Sequence, residues 1–474
     1  MRATKRQTVA KRLNPLDWTF LAGESGDTMM QVGALMPFSP PPDADPSLLR
    51  DLMDEVRETA RAYAPWNLKL KHPNWLASPL QGWVEDDDFD VEYHIRRSAL
   101  PSPGDERELG ILVSRLHSHR LDFHRPPWEV HFIEGLEGGR FAIYFKVHHA
   151  LVDGYTGIRL LSNSLSTSRK DRETPMFFSI PPQPREPRAP KPVEDKAAKT
   201  PTLEALLALA REQIGTSRTI TKVVSQTVMG AWKPEKALDP ALKAPMQAPK
   251  SILNQKIGRN RRFATQQFPL ETLKAVAKQH GGTLNDLVLA LCAGALRRLL
   301  LELGSLPKEP LTAMLPVNVR PKDDPGGGNA VGAIIASLAT DIADPQARFA
   351  AIIASTNAAK AQLQGMTRNG IMQYGAVLMA PLLLSQVPGA AGRLRPAFNL
   401  VISNVPGPSK PLYFRGFLLD AYYPLSIPLA GYGLNITVVS YVDQLNFGFI
   451  GCRDGLPHLQ RLAVYAKAAL EDLA

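Results

Sequence analysis

The sequence predicts an α/β protein with two domains, each built from strands and helices in alternation. The chain has 474 residues, which is more than one ordinary hydrophobic core supports. Strand-like and helix-like segments alternate in both halves, and a segment rich in proline and charge lies between them. We therefore place a first domain at residues 1–170, a linker at 171–250 and a second domain at 251–474.

A hydrophobic strand that ends in two histidines is the most informative feature of the first domain. In the segment before His148 (FAIYFKV), the large apolar residues share one parity, which predicts a strand. His148 and His149 end this strand, so we expect their imidazoles to face opposite sides. Asp153 and Gly154 follow in a turn, and helical spacing over 155–166 places the motif at a strand-to-helix junction.

His149 is the candidate general base. A neutral imidazole titrates near neutral pH and can remove a proton from a hydroxyl group. Among the ten histidines, only His149 has an aspartate four residues later. This arrangement favours acyl transfer over its alternative, a structural histidine pair that is hydrogen-bonded to backbone at a strand end. The second half contains only His280 and His458, so we expect a single active centre.

The linker is predicted from its composition. Residues 171–199 are rich in proline, lysine, arginine and glutamate, and we expect them to be exposed and mobile. Apolar spacing over 202–232 predicts one or two amphipathic helices. Residues 233–250 contain four prolines and form a second loose stretch.

The second domain contains the clearest helix of the chain, over residues 284–301, where apolar residues form one stripe. Thr283 is the predicted N-cap with Asp286 three residues later, so capping alone could explain Asp286. The last two predicted strands form a hairpin. The predicted strands are 311–320, 333–342, 398–403, 434–442 and 445–452.

The positive charge of the chain favours an anionic partner. The formal net charge is +10, which suits nucleic acid, anionic lipid or a phosphate-bearing cofactor. Nucleic acid is excluded as the leading choice, because no basic stretch carries interleaved aromatic residues or zinc-ligand spacing. Cys292 and Cys452 lie in apolar stretches without CxxC spacing, so we expect core residues in a reducing compartment and no metal site.

The sequence predicts a cytoplasmic protein that contacts a membrane only from its surface. No window reaches the roughly eighteen consecutive apolar residues that span a bilayer. The nearest segment, 375–384, is shorter and contains Pro381. Residues 1–12 are basic but precede no hydrophobic signal region. We expect peripheral contact with the anionic inner membrane or with lipid inclusions.

Short motifs are spread over nearly the whole chain, at 14–18 (NPLDW) with 24–32, 127–129 (PWE), 148–154 (HHALVDG), 285–286 (ND), 316–320 (PVNVR), 328–329 (GN) and 403–408 (SNVPGP). They resemble, in order, those of the bacterial wax ester synthase/diacylglycerol acyltransferase family, within the superfamily of CoA-dependent acyltransferases with an HHxxxDG motif. One departure is Pro-Pro-Trp at 126–128, where the family often has Pro-Leu-Trp.

The resemblance implies two chloramphenicol-acetyltransferase-like domains with mixed sheets and an active-site channel between them. It implies long-chain acyl-CoA as donor and diacylglycerol or a long-chain fatty alcohol as acceptor. The product would then be a triacylglycerol or a wax ester. No resident cofactor is implied, because acyl-CoA is a co-substrate.

With these substrates, His149 is expected to deprotonate the acceptor hydroxyl as its oxygen attacks the thioester. Asn285, at a helix start, is the candidate donor to the oxyanion, although it could instead only cap or pack. Asp153 has two interpretations: it orients His149, or it pairs with an arginine and holds the loop, as the resemblance implies. Arg320, at the end of an apolar strand, is the candidate arginine.

Three further residues are expected to support this site. His148 is expected to stabilise the loop without transferring protons. Gly154 is expected where the backbone makes a close approach or adopts a positive φ. Asp286 is expected to act at the start of its helix.

Two other functions fit the same motif. One is a condensation or polyketide-associated acyltransferase that uses a carrier-protein thioester. The other is a non-catalytic lipid-binding or droplet-coating protein with the same fold. Thiol release from an acyl-CoA with and without an acceptor would separate both from the leading prediction.

Overall fold

The computed structural model describes residues 11–41, 48–59, 61–181, 241, 243, 245–318, 331–364 and 395–474. Within these residues the chain forms two large mixed sheets, each packed with helices, and one small sheet. The predicted α/β class is therefore confirmed. Along the described helices, none is both long and apolar enough to cross a membrane.

The first large sheet has the histidine-bearing strand at its centre. The first-half strands are β1 (Lys11–Arg12), β2 (Gln31–Ser39), β3 (Leu68–Leu70), β4 (Gly82–Glu85), β5 (Ile95–Ala99), β6 (Trp128–Glu134) and β7 (Phe141–His148). β7 pairs antiparallel with β2 and β6, and β5 pairs parallel with β6. All eight residues of β7 are buried, which explains its nearly continuous apolar sequence. β1, β4 and β3 form the small sheet.

Helices surround both sheets. In chain order they are α1 (Pro15–Gly23), α2 (Leu48–Thr59), α3 (Val91–His94), α4 (Glu106–His117), α5 (Gly154–Ser162), α6 (Leu270–Gln279), α7 (Leu284–Glu302), α8 (Pro345–Gln364) and α9 (Arg461–Glu471). The helix predicted after the histidine motif is confirmed as α5, and the one predicted over 284–301 is confirmed as α7. α7 packs against α6, α8 and α9, so most of its side chains are buried.

The second large sheet contains the strands predicted for the second domain. Its strands are β8 (Arg261–Pro269), β9 (Thr312–Asn318), β10 (Val331–Ser337), β11 (Leu400–Val405), β15 (Leu434–Tyr441) and β16 (Gln444–Cys452), in the order β10-β9-β11-β15-β16-β8. β11 is parallel to both of its neighbours, and the other pairings are antiparallel. The predicted hairpin of the last two strands is confirmed.

Three short strands of the second half join the first sheet. They are β12 (Tyr413–Phe414), β13 (Phe417–Leu419) and β14 (Tyr423–Leu425), of which β13 and β14 pair with β2. β14 also crosses β16 closely, because a Cβ added to Gly448 would lie 1.9 Å from the carbonyl oxygen of Pro424. Strands that follow the predicted boundary between residues 250 and 251 therefore belong to the first sheet.

The start of the predicted linker is part of the core. Met176, Phe177 and Phe178 are at most 4% exposed, so the expectation of an exposed segment is wrong there. Phe177 packs edge-on against Trp66 at a ring-centroid distance of 4.7 Å and against Trp128 at 5.5 Å. The free energy gained by burying three large apolar side chains outweighs the preference of the surrounding proline-rich sequence for an exposed loop. The predicted helices of 202–232 and the apolar segment 375–384 lie outside the described residues.

Candidate active site

His149 lies immediately after β7 and is held from two sides. Its backbone N–H donates to the carbonyl of Met30 at 2.8 Å, which ties the loop to the start of β2. Its imidazole stacks on Phe20 of α1, with ring centroids 4.0 Å apart and an interplanar angle of 26°. The side chain is only partly exposed, and Nδ1 is buried without a hydrogen-bond partner in another described residue. These contacts fix both the position of the backbone and the plane of the ring.

The environment of His149 keeps its ring neutral. Burial lowers the pKa of the imidazole to about 4, and the nearby charge of His148 acts in the same direction. Asp153 opposes this shift without reversing it. At neutral pH the imidazole is therefore unprotonated, which is the state in which it can accept a proton.

His148 belongs to the support of the loop. Its side chain is 1% exposed, and the backbone N–H of Ala150 donates to its Nδ1 at 3.2 Å. Its Nε2 lies 3.5 Å from Oε2 of Glu24, whose side chain is also 1% exposed. The pair joins the histidine loop to the end of α1.

Glu24 connects this support to two further groups. Its Oε2 accepts from the backbone N–H of Met30 at 2.5 Å, and its Oε1 accepts from Nε of Arg120 at 2.8 Å. Sequence reasoning assigned no role to Glu24, Phe20 or Arg120. The available signal for Glu24 was its position, because it is the first residue of the matched segment 24–32.

Asp153 caps the helix that follows the loop. Its carboxylate accepts from the backbone N–H of Thr156 at 2.9 Å and from the Thr156 hydroxyl at 2.8 Å. It is exposed, and none of its hydrogen bonds within the described residues involves His149. Arg320, the predicted partner, lies outside the described residues.

The structural reason predicted for Gly154 is wrong. Gly154 is the first residue of α5, and its φ does not lie in the left-handed region. A Cβ added there would meet no atom within 4 Å, so no close backbone approach requires glycine. A first helical turn accepts other residues at this position.

A buried charge cluster lies beside the histidine strand. Lys146 of β7 is fully buried, and its ammonium lies 3.2 Å from Oε2 of Glu129, which β6 contributes. Glu129 also faces His131 at 3.6 Å and Arg96 at 3.4 Å. Burial alone would raise the pKa of Glu129, but these three partners lower it to about 2. Glu129, in the matched segment 127–129, thus compensates the buried charge of Lys146, which lies two residues before His148.

Asn285 and Asp286 lie at the start of α7. Asp286 accepts from the backbone N–H of Thr283 at 2.9 Å, and its own N–H donates to the Thr283 hydroxyl at 3.3 Å, so the predicted cap is confirmed as a capping box. Asp286 also accepts from the hydroxyl of Thr356 at 2.7 Å and lies 3.8 Å from the ammonium of Lys360. Asn285 is partly exposed, and its side chain has no hydrogen-bond partner within the described residues.

The turn over residues 403–408 docks on β15. A Cβ on Gly407 would lie 2.1 Å from the carbonyl oxygen of Ser440, so glycine is required there by the close approach. The backbone N–H of Gly407 donates to the Ser440 hydroxyl at 3.2 Å.

Within the described ranges, no three His, Cys, Asp or Glu side chains are grouped so as to hold a metal ion.

The described chain combines two large mixed sheets with a histidine loop at the end of β7. A family model for the wax ester synthase/diacylglycerol acyltransferase catalytic domain matches residues 13–288. The model for the C-terminal domain of the same family matches residues 327–474. The chain belongs to the wax ester synthase/diacylglycerol acyltransferase family, as the sequence motifs implied.

Individual relatives agree with this family. A putative diacylglycerol O-acyltransferase of Mycobacterium tuberculosis is 52% identical over 98% of this chain and 97% of its own. The solved wax ester synthase/diacylglycerol acyltransferase of Marinobacter aquaeolei VT8 is 36% identical, with a TM-score of 0.77 over 98% of each chain. The first condensation domain of the CDA synthetase shares the fold at 16% identity, with a TM-score of 0.53 over 99% of this chain and 98% of its own.

Proposed function

We propose that the protein transfers a long-chain acyl group from acyl-CoA to the hydroxyl of diacylglycerol, of a long-chain fatty alcohol, or of both. The observation that carries this proposal is the state of His149: a neutral imidazole, oriented by Phe20 and held by the backbone of Met30. Proton removal from an alcohol requires such a group. The names of the mycobacterial and Marinobacter relatives support the same acceptors.

The proposed reaction has one nucleophilic attack and one proton relay. Because Nδ1 of His149 is enclosed by protein, we assign Nε2 as the atom that accepts the hydroxyl proton. The alcohol oxygen forms a bond to the thioester carbonyl carbon, and the carbon–sulfur bond then breaks. The departing CoA thiolate receives the proton from the imidazolium, which restores the neutral base. No acyl-enzyme forms, so both substrates must be bound together.

The remaining site residues are assigned supporting roles. Asn285 is proposed to donate its amide N–H to the oxyanion, with the first backbone N–H groups of α7 beside it. His148 holds the loop through Glu24, and Asp153 holds it by capping α5. Asp286 fixes the start of α7. Arg320 remains the proposed arginine partner of Asp153.

The test is thiol release from palmitoyl-CoA with dioleoylglycerol, with hexadecanol or with no acceptor. The wild-type enzyme should release CoA only with an acceptor, and His149→Ala should lower kcat by about 10²- to 10⁴-fold, because a general base contributes this much. His124→Ala is the matched control, since the His124 side chain is 61% exposed and lies outside the loop. Equal thiol release by wild type and His149→Ala with every acceptor would contradict the proposal.

We also propose peripheral contact with an anionic membrane or lipid inclusion from the cytoplasmic side. The support is the net charge of +10 and the basic segment 1–12. Deletion of residues 1–11 should weaken sedimentation with vesicles containing phosphatidylglycerol at low salt. Unchanged sedimentation would remove this segment from the proposal.

A further inference from the structure

An apolar patch lies on the surface beside α1. Single exposed apolar side chains are common on proteins, but several together mark a contact surface. Trp75 and Leu80 are 61% and 67% exposed, and Trp18 of α1 is 37% exposed. Trp75 and Leu80 belong to the Trp75 loop, residues 71–81, which joins β3 to β4. The indole N–H of Trp18 donates to the carbonyl of Ser78 at 3.2 Å, so all three side chains lie around one point of this loop.

Hydrogen bonds within the Trp75 loop fix its backbone. The Gln81 side chain accepts from the N–H of His72 at 3.0 Å and donates to the carbonyls of His72 at 2.9 Å and Trp75 at 3.3 Å. The N–H of Ser78 donates to the carbonyl of Trp75 at 3.0 Å. Leu76 packs against the hydrophobic core of the first sheet. The loop is thus anchored on its inner side, while the Trp75 side chain stays on the outer side.

The charge of this surface suits an anionic partner. The Trp75 loop contains one lysine, the exposed Lys71, and no aspartate or glutamate. β1 pairs with β4 so that Arg12 lies opposite Gly82, the residue directly after the loop. The end of the basic segment 1–12 therefore lies beside the apolar patch. The carboxylates of 85–88 begin at the opposite end of β4 from the loop.

α1 connects the patch with His149. Trp18 and Phe20 are two positions apart on this helix, so their side chains point about 200° apart. Trp18 faces the Trp75 loop, and Phe20 stacks on the imidazole of His149 with ring centroids 4.0 Å apart. A surface that covers the patch is therefore separated from the candidate base by the width of one helix.

We propose that Trp18 and the Trp75 loop form the surface by which the protein docks on an anionic lipid layer, with the two indoles and Leu80 inserted at its boundary. An indole combines an apolar ring with a polar N–H, and therefore favours the boundary between acyl chains and headgroups. Leucine adds apolar area, and Lys71 adds attraction to anionic headgroups. The inference rests on the proposed function, because it names the surface that makes the proposed peripheral contact.

The first test is sedimentation with vesicles of phosphatidylcholine and phosphatidylglycerol. Trp75→Ser/Leu80→Ser should weaken partitioning about tenfold, or about 1.4 kcal/mol, because two large apolar side chains no longer leave water at the lipid boundary. The difference should persist in about 0.5 M salt, which screens the attraction of the basic segment but not apolar insertion. Val464→Ser/Leu301→Ser is the matched control, since these side chains are 65% and 53% exposed on α9 and α7.

A fluorescent label locates the contact directly. Cys292 and Cys452 are buried, so a nitrobenzoxadiazole label on the Leu80→Cys variant reports on that position alone. Its emission should shift to the blue when vesicles are added, because the label leaves water. The same label on Val464→Cys should show no shift.

Three results would overturn the inference. They are equal vesicle binding by wild type and Trp75→Ser/Leu80→Ser, a blue shift at position 464 without one at position 80, and a wild-type dimer in light scattering that the double variant abolishes. The last result would assign the patch to a second copy of the chain.

Acyl transfer is measured separately from vesicle binding. If wild type binds vesicles through the patch but transfers no acyl group, the proposed reaction fails and the docking surface stands. If wild type transfers acyl groups but binds no vesicle, the proposed peripheral contact and this inference fail together, and the proposed reaction stands.

Discussion

The low pKa of His149 predicts that catalysis persists into acidic solution. The imidazole is desolvated by its burial, which lowers its pKa to about 4. The pH dependence of kcat/KM reports the ionisation of the free enzyme. If His149 is the base, kcat/KM should therefore stay level from pH 7.5 to pH 5.5.

The two possible pKa values give clearly different results. With a pKa of about 4, roughly 97% of His149 is neutral at pH 5.5. An imidazole with an ordinary pKa near 6.5 would be only about 9% neutral at that pH, against about 91% at pH 7.5. An unperturbed base would thus lose about tenfold in kcat/KM, whereas His149 should lose only about 3%.

The assay is the initial rate of ester formation at low donor concentration, with dioleoylglycerol as acceptor. Because the 3′-phosphate of CoA titrates near pH 6, the profile is measured with palmitoyl-CoA and again with palmitoyl-pantetheine. The second donor has the same acyl group and thioester but no nucleotide phosphate. A fall of about fivefold or more with palmitoyl-pantetheine between pH 7.5 and 5.5 would refute the assignment of a desolvated His149 as the base. A level profile with palmitoyl-pantetheine and a falling one with palmitoyl-CoA would assign the titration to the donor.

Two further predictions concern stability. Asp153→Ala should lower the free energy of unfolding by about 1 kcal/mol, because α5 loses the cap that bonds to Thr156. Asp153→Asn should lower it far less, because asparagine also caps a helix. Urea denaturation checks both variants, and an inactive Asp153→Asn enzyme of normal stability would instead give the carboxylate a direct role at His149. Glu129→Gln should lower the free energy of unfolding by about 3–5 kcal/mol because it leaves the buried Lys146 ammonium without its carboxylate. Glu129→Gln/Lys146→Met should recover part of that loss, and a double variant no more stable than the single one would refute the explanation.

Local sequence patterns predicted the elements that carry the site. The apolar segment before His148 became β7, and the stripe over 284–301 became α7 with its Thr283 cap. These predictions succeeded because strand parity, helical periodicity and capping depend on residues close together in the chain. The hairpin of β15 and β16 follows the same logic.

The misses have a common physical origin. Residues 176–178 lie in a proline-rich and charged context, yet they are buried because Trp66 and Trp128 provide an apolar surface for them. β13 and β14 follow the boundary assigned to the second domain, yet they extend the first sheet beside β2. Composition and periodicity describe a segment but not the surface against which it packs.

In the candidate site too, local sequence predicted some residues and missed those that come from distant segments. His148, His149 and Asp153 were nominated from the sequence because they are adjacent in it. Phe20 and Glu24 contact the histidines from a helix more than a hundred positions earlier in the chain, so the motif itself gave no sign of them.

The sequence by itself determined the family, the fold class and the identity of the candidate base. These follow from local patterns and from motifs that keep their order along the chain. Only the tertiary structure decided the protonation state of His149 and the contact between His148 and Glu24. Desolvation and electrostatic repulsion depend on distances in space, and those distances are set when residues far apart in sequence pack together.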